Sequence, residues 1–114
     1  MTEEKERKGA IPAAEVLCCA DMVAYQAGSV VSRTIIHRDT GTVTLFAFDE
    51  DQGLSEHTAP FDALAQIIDG EAEVTVAGQP LTVKAGEMVL LPANRPHALK
   101  AAVRFKMLLT MIRS

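Results

Sequence analysis

Chemistry in this chain is carried by two histidine-bearing segments, Ser55-Glu56-His57-Thr58-Ala59-Pro60-Phe61-Asp62-Ala63 and Leu91-Pro92-Ala93-Asn94-Arg95-Pro96-His97. A neutral imidazole offers one donor and one acceptor nitrogen, ligates transition metals, and moves a proton near neutral pH because its ordinary pKa is about 6.5. The other candidates are poorer. His37 stands just before the Asp39-Thr40-Gly41 turn and reads as a surface residue. Glu56 should face away from His57 by strand alternation, and Asp62 falls in the Pro60-Phe61-Asp62 turn. Gln66 interrupts the apolar run Ala63-Leu64-Ala65-Gln66-Ile67-Ile68, so a buried amide there needs partners from a neighbouring strand, a second chain or a bound molecule. The run Asp49-Glu50-Asp51 has the ligand type for a hard cation but reads as a solvated loop. Met88, Met107 and Met111 sit in apolar runs and read as core filler. Cys18 and Cys19 are adjacent, which suits neither a disulfide between them nor a CxxC motif, and both read as reduced thiols.

The elements that must position these residues are strands. Residues 30–37 are rich in β-branched side chains and end at the Asp39-Thr40-Gly41 turn, and residues 42–48 run back, which predicts a hairpin leading to the first histidine segment. Residues 63–69 form an apolar run closed by Gly70, residues 71–76 alternate at a period of two, and residues 81–84 and 88–91 follow behind glycine turns. Residues 103–112 are too apolar for a free tail and should return as a strand. Before all of these, residues 11–18 have the composition for one or two helical turns, with Pro12 at a first-turn position. Short strands at this spacing without a long helical period predict an antiparallel sandwich or barrel.

The whole fits one domain of 114 residues: a charged, disordered leader over 1–10 and a single barrel over 11–114. Apolar residues make up 48% of the chain, enough for a packed core. A net charge of −4 gives no electrostatic footprint for nucleic acid or anionic lipid. No apolar run approaches the roughly 18 residues of a spanning helix, and no apolar stretch follows the charged start, so a cytoplasmic location is expected.

The two histidine segments resemble the paired motifs of the cupin superfamily, specifically its small single-domain bacterial members. In the first pattern, G-x5-H-x-H-x3-4-E-x6-G, His57 takes the first histidine slot, Ala59 the second, Ala63 the glutamate slot, and Gly70 the closing glycine, while Gly53 lies two residues nearer than the pattern asks. In the second, G-x5-P-x-G-x2-H-x3-N, Gly86, Pro92 and His97 match, Asn94 replaces a glycine and Ala101 an asparagine. Asn tolerates the left-handed backbone that glycine supplies.

The resemblance implies an all-β fold, an antiparallel double-stranded β-helix or jelly-roll barrel with a short N-terminal helical turn, in which His57 and His97 converge on one pocket. Neither alanine can donate to a metal, and two imidazoles fall short of the three or four protein donors a divalent transition metal takes, so any such ion should be loosely held at His57 and His97. The leading expectation is a barrel that binds a small organic ligand among His57, His97, Gln66, Ala59 and Ala63. The alternatives are a metal-dependent oxygenase, lyase or isomerase using His57 and His97, and a metal-free acid/base enzyme of epimerase type. The last lacks an evident acid partner, because the single tyrosine, Tyr25, lies outside both motifs. A homodimer is expected, because residues 45–48 and 63–68 are apolar on both faces; residues 11–25, or the strand from Val30, would then pack on a partner's sheet.

Overall fold

A computed structural model describes residues 11–113. The expected N-terminal leader over 1–10 lies outside the described residues. Eight strands follow a short 3₁₀ turn at Cys19–Asp21: β1 (Val30–Arg38), β2 (Gly41–Phe48), β3 (Gly53–His57), β4 (Asp62–Val76), β5 (Gln79–Lys84), β6 (Met88–Leu91), β7 (His97–Lys100) and β8 (Phe105–Ile112). All pairings are antiparallel, and they make two sheets that curl over one another. One runs β1-β2-β8-β4-β6 and the other β5-β4-β7-β3.

Both sheets share β4. The apolar run 63–69 and the alternating run 71–76, expected as two strands, are one strand of 15 residues. Gly70 bends it rather than ending it. Its φ is +70°, and a Cβ there would meet the Arg104 carbonyl oxygen, so only glycine passes the corner without strain. Residues 62–70 therefore pair with β8, and residues 71–76 turn into the second sheet against β5 and β7.

Period-two alternation sorts the side chains. Phe46, Phe48, Ala63, Ala65, Ile67, Val74, Leu91, Leu99, Phe105 and Met107 point between the sheets and form the main core, with Phe48 and Phe105 stacked at 4.5 Å. The opposite face of the first sheet has a second apolar cluster, where buried Val23 covers Leu45 and Ala47, with Met22 and Tyr25 alongside. Residues 22–25, part of the segment 11–25 expected in a dimer contact, form a strap on the outside of the chain's own first sheet. Tyr25 Oη donates to Asp69 Oδ2 (2.5 Å), Arg104 and Lys106 lie over its ring, and Lys106 Nζ donates to the Ala20 carbonyl. The strap is tied to both β4 and β8.

The expected helix over 11–18 does not form. The chain makes a turn at Ala13-Ala14, with Ala14 at φ +60°, and the one helical turn falls later, at Cys19–Asp21. A segment this short gains too few hydrogen bonds to offset helix nucleation.

Candidate functional site

β3 and β7 are neighbours, and their register pairs His57 directly with His97. His57 ends β3 before one loop and His97 begins β7 after another, and the two loops are tied to each other: Asn94 N–H donates to the Ala59 carbonyl (2.7 Å), and Ala93 N–H donates to Asp62 Oδ1 (2.8 Å). Asn94 has φ +63°, the left-handed conformation for which the motif normally keeps a glycine. Asp62 is thereby a loop fastener rather than a ligand.

The rings meet edge to face with centroids 4.4 Å apart and Nε2 atoms 3.1 Å apart. His57 Nδ1 lies 2.8 Å from the Ser55 carbonyl, which can only accept, so Nδ1 carries the proton. A neutral His57 then presents a bare Nε2, and His97 Nε2–H donates to it. His97 is buried, and its Nδ1 is left as a lone pair with no hydrogen-bond partner. Burial holds the His97 pKa below the ordinary imidazole value, repulsion from His57 lowers it further, and the Arg95 backbone pulls weakly the other way. His97 is the neutral inner partner, and His57 is the exposed one.

The pair forms one wall of a cavity of about 50 Å³, whose other walls are Ala59, Ala63, Leu54, Leu91, Leu99, Met107, Leu109 and Met111. Both alanines expected at the site line it. Gln66 does not. It lies between Ala65 and Ile67, both of which face the core, so alternation sends its amide to the outer face of the first sheet, level with Met88 and Leu108. The amide in an apolar run signalled the second face of a strand rather than a ligand.

His37 and Glu56 are exposed, and neither lines the cavity. The loop residue Asp49 accepts from Gly28 N–H at 2.7 Å, and the N–H groups of Gly28 and then Glu50 hold its carboxyl below the usual range. It fastens the strap to the end of β2. Sequence reasoning missed the walls Leu54 and Leu109, whose signal was ordinary apolar alternation.

Among the described residues no three His, Cys, Asp or Glu side chains are placed to hold a metal ion. The slots that would complete a donor set are Ala59 and Ala63, whose methyl groups face the cavity. The residues present do not fit a firmly bound divalent transition metal.

Comparison with known proteins came to the same barrel. A family model described as "Cupin domain" matches residues 44–112. A conserved protein of unknown function from Streptococcus pyogenes superimposes with a TM-score of 0.88 at 34% identity, over 91% of each chain. A cupin 2 conserved barrel domain protein from Leptotrichia buccalis gives 0.80 at 41% identity, covering 82% of this chain and 46% of that one, so this chain spans less than half of it. A cupin superfamily protein from Desulfitobacterium hafniense gives 0.86 at 27%, over 91% of this chain and 95% of that chain. No curated protein matches.

Proposed function

This chain belongs to the cupin domain family, and we propose that its barrel binds a small organic molecule at the His57–His97 pair. The observation that carries the reading is a donor and an acceptor, His97 Nε2–H and His57 Nε2, held side by side against an otherwise apolar cavity. A guest with an acceptor and a donor on one head group, such as a short carboxylic acid or its amide, can take the place of the inter-imidazole hydrogen bond with two of its own. Its apolar end would lie against Leu54, Leu109 and the methionines. A neutral head group avoids the cost of burying an unpaired charge.

Size narrows the class. A cavity of 50 Å³ holds about four waters' worth of volume, so the guest has on the order of four non-hydrogen atoms. At the ceiling of about 1.5 kcal/mol per atom the dissociation constant is no tighter than tens of micromolar. Titrating propionamide into the protein at neutral pH should shift the imidazole proton resonances of His57 and His97 at micromolar to millimolar concentration, propionate, which is ionised and acceptor-only, should shift them less, and His97→Ala should remove the response. Absence of any shift with either compound at ten millimolar defeats the reading.

The two enzyme readings draw less support. Metal-dependent chemistry at His57 and His97 meets the poor fit already described, and no step is drawn through an ion. An acid/base mechanism would have to use the two imidazoles of the pair as both proton carriers, because Tyr25 is on the outer face, bonded to Asp69.

A further inference from the structure

On the inner face of the first sheet, the row that carries Ala63 continues past the cavity. Register pairs Ala63 with Met111, Met111 with Thr42 and Thr42 with His37, and residues paired in this way share a face. Alternation along β2 agrees, because Phe46 and Phe48 belong to the main core and Thr42 lies an even number of residues before them. Ala63 and Met111 line the cavity. Thr42 stands one strand beyond, with Met111 between it and Ala63.

Thr42 is 7% exposed, and its Oγ1 has no hydrogen-bond partner among the described residues. A buried hydroxyl left unpaired lowers stability, whereas valine fills the same shape without that cost. Thr44, the next residue of β2 on this face, is only partly buried, so the unmet hydrogen bond is particular to Thr42. The wall in front of it is also the most adaptable kind. Met111 is unbranched and partly buried, and its three rotatable bonds let the thioether turn outward without moving the backbone.

We propose that Thr42 is the second polar anchor of the cavity, reached by a guest that turns Met111 aside and carries a neutral oxygen, hydroxyl or carbonyl, at the end far from its amide head. The proposal rests on the seat of that head at the His57–His97 pair. A threonine hydroxyl donates and accepts, so it serves either oxygen. A charged end would meet Met111, Ala63 and a neutral hydroxyl, and would lose its water without gaining an opposite charge. Neighbouring strands are about 4.8 Å apart, so Thr42 lies roughly four chain atoms beyond the Met111 wall, and the guest lengthens from propionamide to 6-hydroxyhexanamide.

Titrations of 6-hydroxyhexanamide and of heptanamide, which has a methyl in place of the hydroxyl, followed at the imidazole resonances, test this in the wild type and in Thr42→Val. Both long amides should bind the wild type. Thr42→Val should shift the preference between them about tenfold toward heptanamide, because the guest's hydroxyl is then buried without a partner. The same variant should melt no lower than the wild type, since the hydroxyl does nothing for the empty barrel. A preference that moves by less than about twofold overturns the proposal, and so does a lower melting temperature, which would mean that the hydroxyl is already bonded within the fold. If propionamide binds the wild type and neither long amide does, Met111 is a fixed wall and the proposal falls while the reading of the imidazole pair stands. If no amide binds, both fall.

Discussion

Tyr25 is the chain's only tyrosine, so its ionisation can be read alone by ultraviolet absorbance. Burial raises its pKa first, the hydrogen bond to Asp69 and that carboxylate's charge add to the rise, and Arg104 opposes them. A raised phenol pKa makes the tie between strap and sheet complete below the ordinary value of about 10, and lost as pH climbs through the folded-state value. The phenolate band should therefore appear only well above pH 10 in the native protein. Asp69→Asn should move it part of the way down, because burial remains. Titration of the wild type at the free-tyrosine value would contradict the described contact. At this scale the sequence made His57 and His97 legible through the framework residues around them. Gln66 was misassigned because a single chain does not say which face of a strand is the core when both are apolar, and Tyr25 was set aside because its partners Asp69, Arg104 and Lys106 are brought to it only by folding.

Among the elements, β4 depends most on one residue. Gly70→Ala asks an L side chain to hold φ +70° and to displace the Arg104 carbonyl, and it should destabilise the fold by about 2 kcal/mol or more, measured by denaturant titration. Gly78, whose φ is also positive but whose Cβ would meet nothing within 4 Å, should lose less on the same change. Turn glycines and β-branched runs made most strands readable, and the β1–β2 hairpin forms as expected. The expected break at Gly70 was a bend, since a glycine with positive φ ends a strand or turns it according to what lies on either side, and here β8 and β5 supply partners on both. β7 was not marked as a strand because it is short and follows the proline-bearing loop before His97, and β3 was legible only in the alternation of Glu56 with His57.

At the level of the whole molecule, the long strand has a consequence for how the barrel comes apart. Each half of β4 is a central partner in a different sheet, with β6 and β8 flanking one half and β5 and β7 the other. Neither sheet can melt while leaving the other its share of β4, so a half-folded species has little to stabilise it. Heating should give one transition, with calorimetric and van't Hoff enthalpies in agreement. A shoulder, or two enthalpies that differ, would mean that the sheets separate. The same sharing makes refolding wait for strands far apart in the chain, since residues 62–70 find their partner only when residues 105–112 arrive, and such non-local pairing places refolding in the range of milliseconds to seconds. A barrel joined in this way has no spare module to lose: it is held as a unit or not at all.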